Sequence, residues 1–288
     1  MGTTTVGVPP KSVVALDPSF TDAALLLDAP LTGYVQYRAD PDHPFPDYLG
    51  DLGETVAASV NVGTTAEPDL EQILELEPDL IISAKVRHEP LYDQLSKIAP
   101  TVFSSTTGPT WKQNILLLGE ALGKKTRAQE LITGYEERAA AVGEQIRAAD
   151  PDVTYSLVRF TGEGTARLYS SNSFIGNIMT DMAIPRPEDA PDSNDVIFTP
   201  LSAEQILRAD AGIIMVSAYT PPGAEGDAGR DQQAAYEANP LWQRLSGDVI
   251  EVDDEPFVLS VSLQGAHASI TKLAEHFGVD PRLDLIPS

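Results

Sequence analysis

The chain has 288 residues, 42% of them hydrophobic, with 19 basic against 43 acidic side chains and a formal net charge of −24. That charge repels nucleic-acid phosphate and anionic membrane surfaces, so no nucleic-acid partner is expected. The absence of cysteine removes disulfides, thiolate catalysis, zinc–thiolate sites and iron–sulfur ligation, and no apolar run approaches the roughly 18 residues of a membrane span.

The opening MGTTTVGVPPKSVV has no apolar signal core. We read it as a start placed after a removed signal. SVVALD (12–17) predicts a buried strand, and FTDAALLLDA (20–29) a helix that begins near Thr21 or Asp22. GYVQYR (33–38) predicts a second strand. DPDHPFPDYLGDLG (40–53) is rich in Pro, Asp and Gly and predicts a loop. EPDLEQILEL (67–76) predicts a short helix with Pro68 in its first turn. DLIISA (79–84) follows as a buried strand, HEPLYDQLSKIA (88–99) as a helix and PTVFSS (100–105) as a strand. This alternation implies a mostly parallel sheet covered by helices.

An amphipathic helix is predicted from Trp111 to about Gly123. Residues 125–149 then carry one continuous apolar stripe: Leu131, Tyr135, Ala139, Val142 and Ile146. At 1.5 Å per residue this is a rod about 36 Å long, which Gly134 and Gly143 weaken without ending. A second β/α series starts after it: TYSLVRF (154–160), ARLYSS (166–171), a helix around 174–183, EQILRA (204–209), GIIMVSA (212–218), a helix near 230–246, VIEVD (249–253) and a helix over 263–277. The segments 185–195 and 220–229 read as polar, flexible connections.

The sequence Glu-Gln-Ile-Leu occurs twice, at 71–74 and 204–207. Each copy leads into a buried strand that ends in Ser-Ala, at Ser83-Ala84 and Ser217-Ala218. The spacing from Glu to that Ser is 12 residues in one copy and 13 in the other. Two distant parts of the chain therefore use the same helix-to-strand unit, which predicts two similar lobes with a ligand cleft between them.

Catalytic signatures are missing. The first strand is not followed by Gly-x-Gly-x-x-Gly, and there is neither a Gly-rich phosphate loop ending in Lys-Ser or Lys-Thr nor a Gly-x-Ser-x-Gly elbow. His43, His88, His267 and His276 are scattered without metal-ligand spacing, and they read as surface residues. No carboxylate pair is singled out among the many acids. Binding is the stronger class, and no enzymatic activity is expected.

The chain resembles the class III substrate-binding proteins of ATP-driven importers, the group that carries ferric siderophores, haem and cobalamin. The residues that carry the resemblance are EPDLEQILELEPDLIISAKVRHEPLYDQLSKIAPTVF (67–103), RLYSSNSFIGNIMTDMAIPRP (167–187) and TPLSAEQILRADAGIIMV (199–216). The implied fold is α/β, two Rossmann-like lobes joined by a single long interdomain helix: residues 1–124, the connecting helix 125–149, and 150–288. The implied function is extracytoplasmic capture of a ferric siderophore by a monomer, in the periplasm or as a cell-surface lipoprotein, for delivery to an ABC-type permease. The protein itself needs no cofactor, because the siderophore holds the iron. The alternatives are a haem or cobalamin binder of the same fold, with Tyr92, Tyr169 or Tyr219 as an available haem ligand, and a siderophore-processing hydrolase.

Site residues follow from the resemblance and from position. Glu71 and Glu204 match the carboxylates with which this family docks to permease arginines. Arg87, in the loop after DLIISA, lies where open α/β sheets place their ligands, and its guanidinium offers several donors to oxygen ligands. Arg167 and Tyr169 alternate onto one face of a strand, and the resemblance places an arginine of this strand on the ligand. Trp111, Tyr219, Phe174 and Phe257 are expected to line the cleft, and Arg159 to serve either the cleft or an ion pair. Hydroxamate siderophores of ferrioxamine type are favoured, because a ferric tris-hydroxamate is neutral or cationic and a tris-catecholate carries about −3, against a chain of net charge −24.

Overall fold

A computed structural model of the chain describes residues 2–7, 9–36 and 44–287. The expected strand residues 37–38, the loop residues 40–43 and His43 lie outside the described residues. The chain divides into two compact units. The first comprises residues 1–135, 260–265 and 287–288, and the second residues 136–259 and 266–286.

In the first unit the elements run β1 (Val13–Ala15), α1 (Pro18–Leu26), β2 (Leu31–Tyr34), α2 (Gly53–Val56), β3 (Val60–Asn61), α3 (Leu70–Glu75), β4 (Leu80–Ala84), α4 (Lys85–His88), α5 (Tyr92–Ile98), β5 (Thr101–Ser104) and α6 (Trp111–Ala121). The strands form a parallel sheet in the order β3-β2-β1-β4-β5. Strand β4 is buried along its whole length, as a parallel strand covered on both faces must be. Val14, Leu16, Val35, Val62, Ile73, Ile81 and Leu95 make one core cluster.

Helix α1 starts earlier than Thr21. Asp17 caps it by accepting from the Ser19 amide, with Pro18 in the first turn. Asp followed by Pro is a start signal, and it places Asp22 inside the helix. The run 88–99 is not one helix: α4 is followed by a 3-10 turn over Glu89–Leu91 and then α5. Pro90 lacks the amide that a continuous helix would need there.

Helix α7 (Lys125–Ala149) carries the chain across the boundary of the units at Tyr135–Glu136. Its stripe of Leu131, Tyr135, Ala139, Val142 and Ile146 is buried throughout. The second unit continues with β6 (Tyr155–Phe160), β7 (Ala166–Tyr169), α8 (Phe174–Asp181), β8 (Phe198–Leu201), β9 (Ile213–Ala218), α9 (Ala224–Glu237), β10 (Asp248–Glu251) and most of α10 (Leu263–Phe277). The order is β10-β9-β6-β7-β8. Strands β10, β9 and β6 are parallel, while β7 runs antiparallel to both β6 and β8. Strands β3 and β8 were not expected from the sequence, because they are short and lack alternation.

The second Glu-Gln-Ile-Leu forms a 3-10 helix, Ala203–Ala209, where the first forms α3. Asp69 caps α3 by accepting from the Glu71 and Gln72 amides, and the second copy has no side-chain cap of this kind. Helix α9 begins at Ala224, inside the segment expected to be a flexible connection. The segment 185–195 is also tied down. Arg186 donates to the Tyr169 and Pro191 carbonyls, and Asp192 accepts from the Ser171 amide and hydroxyl.

Candidate functional site

A doubly wound sheet exposes its ligand crevice where the strand order reverses, outside the carboxyl ends of the strands. In the first unit that point lies between β1 and β4. Asp17 follows β1 and Arg87 follows β4, and the Arg87 Nε donates to Asp17 Oδ2 at 2.8 Å. The Asp17 side chain is 4% exposed and that of Arg87 43%. Asp17 is thereby fixed by its cap and its ion pair, while the far side of the guanidinium meets solvent.

His88 braces the same turn. Its Nε2 faces the Thr65 carbonyl at 2.7 Å and its Nδ1 faces the Ser83 hydroxyl at 2.7 Å. A carbonyl can only accept, so Nε2 carries the proton and Nδ1 accepts from Ser83. Burial holds the imidazole below the usual histidine range. His88 is therefore a buried structural histidine, not the surface residue that its isolation in the sequence suggested. The Ser-Ala ending of β4 matters here through Ser83.

In the second unit the reversal lies between β6 and β9. Arg159 and Ser217 are register partners there. Asp254, just past β10, accepts from Arg159 Nε at 2.6 Å, from Arg159 Nη2 at 2.5 Å and from the Ser217 hydroxyl at 2.6 Å. The Arg159 side chain is 8% exposed and that of Asp254 10%. The carboxylate holds the Arg159 guanidinium above its ordinary range although desolvation opposes this. Arg159 Nη1 reaches the Tyr169 hydroxyl at 3.4 Å, and the guanidinium carbon lies 5.2 Å from the centre of the Tyr219 ring. Tyr219 is half-buried, and burial pushes its phenol above the usual range.

Arg167 stands opposite Arg159 across β6 and β7. It bonds Glu163 through Nη2 at 2.6 Å and Nε at 3.3 Å, and its guanidinium carbon lies 4.6 Å from the centre of the Phe198 ring. Tyr169 packs its ring 5.9 Å from Phe198. Arg159, Arg167, Tyr169 and Tyr219 thus form one connected cluster. Asp17, Glu163, Phe198 and Asp254 complete the two settings and were not singled out from the sequence, while Ser217 is the Ser-Ala end of the second repeat strand. Asp17 and Asp254 do have a signal: Asp17 ends a predicted strand and Asp254 immediately follows one.

The remaining aromatic candidates lie elsewhere. Trp111 is 1% exposed and meets Tyr135 edge to face at 5.0 Å. Phe174 and Phe257 are buried in the second unit, where α8 packs against the turn Glu255–Leu259. All three are buried in this structure, as Tyr169 also is. Glu71 and Glu204 are exposed. The Glu204 carboxylate turns back to its own amide and the Ser202 hydroxyl, which hold it below the usual carboxylate range. Among the described residues no group of three or more His, Asp or Glu side chains is placed to hold a metal ion, and no helix is long and apolar enough to cross a membrane.

Residues 13–248 match the profile of the family described as periplasmic binding protein. The chain is 32% identical over 278 residues to YfiY of Bacillus subtilis, named a probable siderophore-binding lipoprotein, across 93% of this chain and 82% of the relative. It is 27% identical to the Fe(3+) dicitrate-binding periplasmic protein FecB of Escherichia coli, across 85% and 76%. Among solved structures, that of Staphylococcus aureus SirA complexed with staphyloferrin B matches with a TM-score of 0.85 and 29% identity over 98% of both chains. The first two are named as binding proteins, one a lipoprotein and one periplasmic. The chain belongs to the periplasmic binding protein family, as a class III substrate-binding protein of an ABC importer.

Proposed function

We propose that this protein captures a ferric siderophore outside the cytoplasmic membrane and delivers it to an ABC permease, with ferric hydroxamates of ferrioxamine type as preferred cargo. The observation that carries the ligand class is the pairing of every candidate arginine. Arg87 is paired with Asp17, Arg159 with Asp254 and Arg167 with Glu163. The guanidinium charges are locally cancelled, while donors on Arg87 and the ring of Tyr219 remain at the surface. Such groups suit a neutral or cationic complex whose rim carries oxygen acceptors and hydrocarbon. A trianionic complex would instead call for cations without built-in counter-ions. The iron is cargo, held by the oxygens of its own chelator.

A second reading has its own support. Relatives named for Fe(3+) citrate match across most of this chain, at 28% identity for YfmC and 27% for FecB. Titration calorimetry with a neutral ferric tris-hydroxamate, ferric dicitrate and a ferric tris-catecholate separates the two. The hydroxamate reading expects the tightest binding for the first, and tighter binding of ferric dicitrate would replace it. Arg87→Ala should weaken the preferred ligand by about tenfold or more, the loss of a charge-assisted contact.

A further inference from the structure

Two carboxylates neutralise the facing arginines of the second unit, and they are built differently. The Asp254 side chain is only 10% exposed and is locked by three bonds to Arg159 and Ser217. Glu163 sits in the turn between β6 and β7, and its side chain is 59% exposed. Its backbone, however, is not free. Gln232 of α9 accepts from the Thr161 and Gly162 amides and donates to the Glu163 carbonyl. Gly162 has φ +76, and a Cβ there would come within 2.6 Å of the Ala228 side chain, so the turn requires glycine. Three bonds and a fixed turn present Glu163 to Arg167, while the carboxylate itself stays in solvent. An exposed ion pair contributes little to stability, so this anchoring is more than folding needs.

The structure assigns Glu163 as a specificity-determining residue: its carboxylate occupies the donors of Arg167 that an anionic ligand would use, and so biases the site against ferric complexes bearing free carboxylates. This rests on the reading above that Arg167 contacts the ligand. A bound carboxylate must displace Glu163 and also approach its negative charge, whereas a neutral complex faces only the second-row contacts of Phe198 and Tyr169. Selectivity is achieved here by a built-in competitor rather than by an added attraction.

The test uses the intact chain, titrated by calorimetry with ferric dicitrate and with a neutral ferric tris-hydroxamate. In Glu163→Gln the ratio of ferric dicitrate affinity to hydroxamate affinity should rise about tenfold, the value of a released charge-assisted bond. An equal change for both ligands, or no change, overturns the assignment. Arg167→Ala distinguishes the two levels of the argument. If it weakens binding while Glu163→Gln leaves selectivity unchanged, the competitor role fails and the ligand contact stands. If Arg167→Ala alters neither ligand, both fail. Gln232→Ala, which loosens the turn without touching either charge, should move selectivity in the same direction as Glu163→Gln and by less; a shift in the opposite direction contradicts the anchoring.

Discussion

Arg159 and Arg167 stand directly opposite each other on the antiparallel pair β6 and β7. Like charges in that position destabilise a sheet, and the fold compensates with one carboxylate for each. The compensation is unequal in depth, which sets the first prediction. Asp254→Ala leaves the Arg159 guanidinium buried without its partner and should cost on the order of 3–5 kcal/mol of unfolding free energy. Glu163→Ala removes an exposed pair and should cost less than about 1 kcal/mol. Urea denaturation of both variants checks this, and equal losses would show that the depth of the Arg159 pair is immaterial.

Asp22 lies on α1, is fully buried, and accepts from the Ser262 hydroxyl at 2.7 Å. Burial raises its carboxyl from 3.8 to about 7, against the lowering effect of Ser262 and Gln264. Between about pH 4 and 7 the folded chain keeps a proton that the unfolded chain has lost. Stability must then fall as the pH rises through that window. The integrated loss is on the order of 4 kcal/mol, at about 1.4 kcal/mol per unit of pKa separation. Asp22→Asn should lack this loss, so the stability of the variant minus that of the parent should rise from about pH 4 to 7. A constant difference would mean that Asp22 does not hold its proton.

His267 gives the opposite slope. Desolvation and the facing Arg138 guanidinium depress its imidazole from 6.5 to about 3. Arg138 is fully buried, and its Nη1 meets His267 Nδ1 at 3.0 Å and donates to the His267 carbonyl at 2.9 Å. Between about pH 6.5 and 3 the unfolded chain takes up a proton that the folded chain refuses, so this contribution is lost as the pH falls. His267→Gln should flatten the acid limb of the stability profile even if it lowers the whole curve. An unchanged acid slope would place the proton uptake on another group.

Much of the fold was legible because parallel strands are buried on both faces and read as unbroken apolar runs, as in DLIISA and GIIMVSA. The stripe of α7 was equally plain, since five buried positions repeat at helical spacing. Strands β3 and β8 were not legible: VN and FTPL carry too few residues for any period. The candidate site was legible only by halves. An arginine or tyrosine after a strand can be found by position, as Arg87 and Tyr219 were. Its counter-ion comes from another strand, 70 residues away for Asp17–Arg87 and 95 for Arg159–Asp254, and in a chain with 43 acidic residues nothing local marks which one it is. Aromatic residues are ambiguous for the converse reason: Trp111, Phe174 and Phe257 are buried here, and their residue type suits a ligand lining and a core alike.

Gly143 tests how closely α7 packs in the second unit. A Cβ at this position would lie 2.0 Å from the Met182 carbonyl oxygen. Backbone cannot retreat as a flexible side chain can, so Gly143→Ala should destabilise by about 1–3 kcal/mol despite the higher helix propensity of alanine. A stabilised variant in thermal unfolding would contradict the close approach. Arg147 donates to the same carbonyl, so an added methyl group also disturbs that bond.

The repeated Glu-Gln-Ile-Leu sets the last prediction, on permease docking by Glu71 and Glu204. Both glutamates are exposed, on short helical segments that lead into β4 and β9. Neither segment carries a candidate ligand contact, so binding and delivery should separate. Glu71→Ala with Glu204→Ala should leave siderophore affinity within about twofold of the parent while cellular iron uptake fails, because rim charges govern encounter and register rather than cargo binding. The two positions are not equivalent alone. Glu204 bonds back to the Ser202 hydroxyl and must give up that bond to meet a permease cation, whereas Glu71 shares its segment with a cap supplied by Asp69. Ser202→Ala should therefore strengthen docking through Glu204 and let its carboxyl titrate at higher pH. Calorimetry for cargo and iron uptake in cells complemented with each variant read the two quantities separately. Normal uptake by the double variant would remove these glutamates from the docking surface, and lost cargo affinity would move them into the binding site instead.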